Sequence, residues 1–449
     1  DNRDLHKEYR RQRQMCIRDR HMAMPRNLYT ALFCLLLPLY FIRLGWKGLS
    51  NREYYLRWGE RLGFSRFIPS KDKSVIWVHA VSVGEVNASM PLIRSLLEDY
   101  PQSEILVTTT TPTGSKLLIE RLGNKVKHQY IPVDIPFFIN LFLNKWKPHI
   151  LILLETEIWP NIINACKNRG IYTALVNARL SDKSKENYLK FKSLIGTSID
   201  SLDLILAQFE SDKKCFNEIA DQKEIHLCGN LKFDQDVPYE LEEISRSIRL
   251  GWSIDGIIRP TLIASSTHEG EEEIVLEAFK KIQKEFPNSL LILVPRHLER
   301  FETVKKIIQR YELRLASRSK KSEVTDDIEV LLGDTIGELN FLYSLSDVAF
   351  IGGSLIDHGG QNLLEPSAQS LALLSGPSLR NFSDVSNQLK ENNALEIVNN
   401  SIELAEVFIA FAKDEALLRT KGTSAFNVFM SNRGALKNIL SQLEAPLKI

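Results

Sequence analysis

Two carboxylate motifs in the first half of the chain have the residue types and spacing for proton transfer. In HAVSVGEV (79–86) an apolar strand runs into a Gly84-Glu85 turn that opens a helix, so the backbone is tight and a side chain points outward. Glu85 is a candidate general base there, given partial desolvation to lift its pKa toward working pH. The same position also suits a first-turn carboxylate favoured by the helix dipole, and spacing alone does not separate the two roles. In LLETEIWPN (153–161) Glu155 and Glu157 stand two apart at a strand's carboxyl end, on one face of an extended segment, with Trp159 behind them. One of the pair is a candidate for catalysis; core satisfaction by a basic partner is the competing role.

The second half carries turns of the kind that hold anions. IASSTHEGEEE (263–273) reads as strand, small-hydroxyl turn and helix, which presents backbone N–H groups and a helix dipole to an anion. LVPRHLER (293–300) puts Arg296 and His297 at the next strand end, where a guanidinium suits a phosphate or carboxylate. GDTIGEL (333–339) and GGSLIDHGGQNLLEP (352–366) complete a rim, with Gly359 and Gly360 allowing close backbone approach and Glu365 positioned for two ribose hydroxyls. Each turn alone is ordinary, but four at successive strand ends point to a nucleotide site. There is no GxxxxGK[ST] and no GxGxxG at the first strand of either half, so ATPase and dinucleotide dehydrogenase readings lose their main signal. His79, His268 and His297 fall at strand ends, yet without HxxxH or HxH spacing no metal site is expected.

Such residues need a scaffold of parallel strands. Short apolar runs at 75–81, 105–110, 129–133, 150–154, 172–176 and 204–208 alternate with helical stretches, and a second series follows at 261–265, 290–294, 330–332, 348–352 and 371–375. Apolar strands alternating with amphipathic segments predict parallel sheets covered on both faces. The fold class is therefore α/β, with two Rossmann-like doubly wound domains whose strand-end loops line a cleft. A chain of 449 residues exceeds what one core supports, which also requires two domains. The expected divisions are an atypical tail at 1–24, disordered or non-native, an anchor at 25–48, and domains at 49–235 and 236–449.

With 57 basic against 56 acidic side chains, the chain is not one whose main partner is nucleic acid. Five scattered cysteines without CxxC spacing predict neither a disulfide framework nor a zinc site. Residues 28–42, LYTALFCLLLPLYFI, carry no charge and are broken only by Pro38. That is short for a span of ~20 residues, and no small-residue cleavage site follows; a basic and aromatic stretch from Arg43 to Arg66 does. The segment reads as an uncleaved anchor that spans or lies in the membrane, with the body of the protein on the cytoplasmic side near anionic head groups. A buried helix is the alternative, disfavoured because apolar residues occupy all its faces.

The ordered motifs YLRWGERLGF, HAVSVGE, TTTTPTGS, ETEIWPN, NARLSDKS, GNLKFD, ASSTHEGEEE, PRH, GDTIGEL and GGSLIDHGGQNLLEP resemble those of the Kdo (3-deoxy-D-manno-octulosonic acid) transferases, membrane-associated GT-B glycosyltransferases of lipopolysaccharide assembly. The likeness runs from about residue 25 to the C-terminus. It implies transfer of Kdo from CMP-Kdo to the lipid A precursor (lipid IVA) at the inner membrane, with the acceptor on the N-terminal domain and CMP-Kdo, a co-substrate, on the C-terminal one. No cofactor or metal is implied. Glu85 is then the base, and Glu155 and Lys232 match residues that stabilise the transition state. Pro295 and Arg296, Ile336, Gly337 and Glu338, and Asn362, Leu363, Leu364 and Glu365 match those that hold CMP. The chain departs from the family's GGHN at Gln361 and from its GPHxxNF at Ser378, which puts contacts around the nucleotide in doubt. A UDP-sugar transferase of the same fold and a membrane-tethered nucleotide-binding scaffold without turnover are the competing readings.

Overall fold

The structure is a computed structural model that describes residues 25–50, 52–234 and 240–448. The expected tail at 1–24 lies outside these residues, as does the expected 235/236 division.

The apolar runs form two seven-stranded sheets in which every ladder is parallel. The first contains β1 (Val75–His79), β2 (Glu104–Thr109), β3 (Lys127–Tyr130), β4 (Ile150–Leu154), β5 (Tyr172–Ala178), β6 (Leu204–Ala207) and β7 (His226–Leu227). Their order is β3-β2-β1-β4-β5-β6-β7. The second contains β8 (Thr261–Thr267), β9 (Leu290–Pro295), β10 (Leu315–Ser317), β11 (Val330–Leu332), β12 (Val348–Ile351), β13 (Ala372–Ser375) and β14 (Leu395–Ile397). Their order is β10-β11-β9-β8-β12-β13-β14. Central strands such as VIWVH and ILILL are buried along their whole length, because helices cover both faces of the sheet. The strand order reverses between β1 and β4 in one sheet and between β8 and β12 in the other. Those switch points open a crevice beyond the strands' carboxyl ends.

The described residues up to 234 together with 433–448 form one compact unit, and 240–432 form the other. This corrects the expectation that the second domain runs to 449. The last helix (Ala435–Leu447) returns to the first sheet because Ile439, Leu443 and Leu447 recur every fourth residue and bury in the same core cluster as Ala174 and Val176 of β5. Full burial of such side chains is worth roughly 1.5–3 kcal/mol each. The Asp234 carboxylate fixes the helix start by accepting from the amides of Gly434 and Leu436, at 2.7 and 2.6 Å.

The N-terminal apolar segment is a helix, Arg26–Ser50, that continues through Pro38. Arg26–Leu49, with an 18-residue window of mean hydropathy 1.7, is long and apolar enough to cross a membrane. One side of the helix is fastened to the first unit. Tyr29 donates to Asp134 Oδ2 at 2.8 Å, Thr30 and Asn161 exchange hydrogen bonds, Arg61 donates to the Tyr40 hydroxyl at 3.0 Å, and Leu44 is buried. Leu35, Leu39, Ile42, Trp46 and Leu49 on the other side are each 60% or more exposed. The basic stretch is not wholly a surface feature. Arg61 is buried with its guanidinium 4.0 Å from the Tyr130 ring, and Arg57 makes a two-bond pair with Glu60. These two arginines belong to the domain's packing, which corrects their inclusion in an exposed basic run.

Candidate functional site

In the first unit the switch point gathers the carboxylates. Glu85 follows β1, and Glu155 and Glu157 follow β4, the strand that pairs with β1. Ser82 caps the helix that carries Glu85, and the Val81 N–H donates to Glu85 Oε2 at 2.7 Å. Glu85 thus closes the helix start, and it does so beyond the carboxyl end of β1. Only 9% exposed, its carboxyl is pushed up to about 8, chiefly by burial; the Val81 and Ser82 hydrogen bonds oppose this, and the charges of Glu157 and Glu155 add to it. A carboxyl poised near working pH is suited to accept a proton.

Glu155 sits at φ 56°, in the left-handed region that a non-glycine residue occupies at a cost on the order of 1–3 kcal/mol. The chain turns there so that Glu155 Oε1 lies 3.6 Å from Lys232 Nζ. Lys232 belongs to the short turn Leu231–Asp234, which is held by Asn177 and Asn230. Asn177 Oδ1 accepts from the Leu231 amide, and Asn230 Oδ1 accepts from that of Lys232, both at 3.0 Å. Asn177, itself at φ 52°, was not among the candidates; its sequence signals are an amide residue near the end of β5 and its place at the head of the NARLSDKS motif. Glu157 accepts from Trp159 Nε1 at 2.8 Å and lies 3.7 Å from Nε2 of His79, a fully buried ring.

In the second unit Pro295 ends β9 and Arg296 follows it, exposed. Asn362 Nδ2 donates to Glu365 Oε1 at 2.9 Å. Burial raises the Glu365 carboxyl above its ordinary value, while the Asn362 hydrogen bond and the Arg296 charge hold it down, so these three residues share one neighbourhood. Leu363 and Leu364 bury their side chains in the core, and the Leu364 amide already donates to Asn362 Oδ1 at 3.0 Å. Ile336, Gly337 and Glu338 follow β11. Ile336 is 75% exposed, and the Glu338 carboxylate is committed to Arg318 at 2.9 and 3.0 Å. An open cavity of about 1510 Å³ is lined here by Ile336, Glu338, Arg318, Phe341, Trp252 and Leu298.

Two turn expectations are corrected. The amides around the turn after β8 do not await an outside anion. The buried Glu271 carboxylate accepts from the N–H groups of His268, Gly353, Ser354 and Leu355 at 2.6–3.0 Å, tying this turn to the one after β12. The space beside Gly359 and Gly360, both at positive φ, is filled by the chain itself: a Cβ on Gly359 would come within 2.7 Å of Asn381. Among the described residues no group of three or more His, Cys, Asp or Glu is placed to hold a metal ion.

The family model of 3-deoxy-D-manno-octulosonic-acid transferase (kdotransferase) matches residues 56–235, the region that carries Glu85, Glu155 and Lys232. The 3-deoxy-D-manno-octulosonic acid transferase of Haemophilus influenzae is 38% identical over 432 residues, covering 95% of this chain and 99% of that protein. The transferase of the same name from Rickettsia bellii is 32% identical over 382 residues, covering 84% and 88%. The structure of UDP-GlcNAc 2-epimerase from Neisseria meningitidis superposes with a TM-score of 0.58 at 15% identity, over 83% of this chain and 100% of that one, a likeness of fold alone. Two Rossmann-like units in one chain are the GT-B fold class. Near-complete overlap with the Haemophilus influenzae enzyme at this identity leaves one assignment: the chain belongs to the 3-deoxy-D-manno-octulosonic acid transferase family of glycosyltransferases.

Proposed function

We propose that this Kdo transferase takes Kdo from CMP-Kdo and attaches it to the lipid A precursor, lipid IVA, by a single displacement with inversion. An acceptor hydroxyl attacks the anomeric carbon, the bond from that carbon to the phosphate oxygen breaks, and CMP leaves as a monophosphate. Glu85 accepts the hydroxyl's proton. The Lys232 ammonium, positioned by Glu155, stabilises charge that develops as the bond breaks. Arg296 faces the phosphate and Glu365 the ribose. With cationic side chains in these roles, the reading assigns no step to a divalent ion.

The observation that carries this reading is the meeting of a buried carboxyl, raised to about 8, with a Glu155–Lys232 pair at one switch point. The exposed apolar side of the Arg26–Ser50 helix supports attachment to the cytoplasmic face of the inner membrane, where a lipid acceptor resides. Incubating the enzyme with CMP-Kdo and a tetra-acylated, bis-phosphorylated glucosamine disaccharide tests it. Product masses increased by whole Kdo residues, with the anomeric configuration inverted and CMP but not UDP competing, are the expected result. Retained configuration, or competition by UDP alone, refutes it.

A further inference from the structure

Three histidines that no step above employs converge at the second sheet's switch point. His268 follows β8, His297 follows β9, and His358 lies in the turn after β12. The His268 ring stacks on His358, with centroids 4.4 Å apart and planes 18° from parallel, and meets His297 edge-on at 5.3 Å. His268 is buried beneath the other two, which are exposed, and its Nε2 lies 3.1 Å from the Gln361 amide nitrogen. Packing these rings so closely is unfavourable when more than one is charged. Burial lowers the His268 pKa, and the charges of His358, His297 and Arg296 lower it further, with Glu271 opposing.

The acids around the cluster are already engaged. Glu271 is shared among four amides, Asp357 pairs with Arg380, and Glu365 is bonded to Asn362. The exposed rings of the cluster thus offer imidazole N–H donors next to Arg296 with no neighbouring carboxylate among the described residues left free to occupy them.

The donor chemistry identifies the anion, on the reading of CMP-Kdo as donor given above. In a nucleotide-activated 2-keto acid sugar the carboxylate and the phosphate oxygen are bonded to the same anomeric carbon. A site for such a molecule needs an anion receptor beside the anomeric carbon in addition to the one for phosphate, whereas a nucleotide-activated aldose bears hydrogen there in place of the carboxylate and does not. Arg296 and His297 are consecutive, and the exposed His297 and His358 rings flank His268, whose pKa the Arg296 charge lowers, so the cluster and the guanidinium share one neighbourhood. We propose that His268, His297 and His358 together receive the anomeric carboxylate of the donor sugar and so select a 2-keto acid donor over an aldose.

Calorimetric titration of the full chain with CMP and with CMP-Kdo tests this. His297→Ala, His358→Ala and their combination alter exposed side chains, and retained CMP binding reports that the fold is intact. The combined variant is expected to bind CMP within about twofold of the wild type and CMP-Kdo about tenfold or more weakly, the loss expected for hydrogen bonds to a charged group. His358→Arg, which keeps a donor to the carboxylate, is expected to recover most of that loss. Equal weakening toward both ligands, or unchanged CMP-Kdo affinity, overturns the proposal while leaving the transferase reading intact. A wild-type chain that binds neither ligand overturns the donor assignment itself, and this inference with it.

Discussion

Glu85→Gln separates the helix-capping contact of this carboxyl from the proton transfer proposed for it. Gln keeps an oxygen to accept the Val81 N–H, so the helix start should survive, while the acid–base function is lost. Turnover should fall roughly 10²- to 10⁴-fold with CMP affinity unchanged. The wild-type profile supplies the second arm. With the carboxyl at about 8, roughly one-tenth is ionised at pH 7 and about nine-tenths at pH 9, so kcat/KM should climb about tenfold between them. Stability moves the opposite way. The folded pKa lies above the ordinary 4.5, so between 4.5 and about 8 the folded state holds the extra proton and stability declines as pH rises through that window. The rise corresponds to a penalty on the buried anion on the order of 3–5 kcal/mol, fully expressed by pH 9. Glu85→Gln removes that penalty. It should be more stable than wild type in urea at pH 9 and close to it at pH 5. A flat kcat/KM between pH 6 and 9, or a Gln variant with no stability gain at pH 9, would refute the reasoning.

Glu157→Gln removes a like charge that raises Glu85, so the rising limb of the pH–rate profile should move to lower pH; an unmoved limb would mean that the two carboxylates do not sense each other. Arg296→Ala and Glu365→Ala should each weaken CMP binding about tenfold or more if, as proposed, one faces the phosphate and the other the ribose; unchanged titrations for both would place CMP elsewhere. Replacing Leu35, Leu39, Ile42 and Leu49 with Gln alters only the exposed side of the N-terminal helix and should release the protein from vesicles containing anionic lipid while CMP binding persists; full retention on vesicles would locate the attachment elsewhere. Chelation with EDTA should leave turnover unchanged, and a loss restored by a divalent ion would contradict the metal-independent reading.

The apolar runs alone located most of the two sheets, because strands buried on both faces are written as unbroken β-branched stretches. β4 and β11 fall where the runs predict, and other boundaries differ by a few residues. β7, β10 and β14 went unseen: at two or three residues they carry no pattern, and pairing to a neighbour that is distant in sequence makes them strands. Candidate residues were legible as chemistry at strand ends, since tight turns at parallel-strand termini demand glycine, small hydroxyls and polar groups. Resemblance to family motifs, rather than spacing, suggested the roles proposed for Lys232 and for the residues matched to CMP contacts.

What the residues meet was decided in three dimensions. Glu155 reaches Lys232 through a left-handed backbone turn and a side-chain cap from Asn177, contacts that span up to 77 residues of sequence. The elevated pKa of Glu85 depends on burial and on charges carried by another strand, and Glu271 fills by itself an amide nest that its motif seemed to offer a ligand. The closing helix carries an apolar stripe that any sheet face could bury; the match to the first sheet and the Asp234 cap select which. Periodicity and turn chemistry are local and are written residue by residue. Partners, burial and electrostatic neighbourhood arise from packing between distant segments, so only the folded chain determines them.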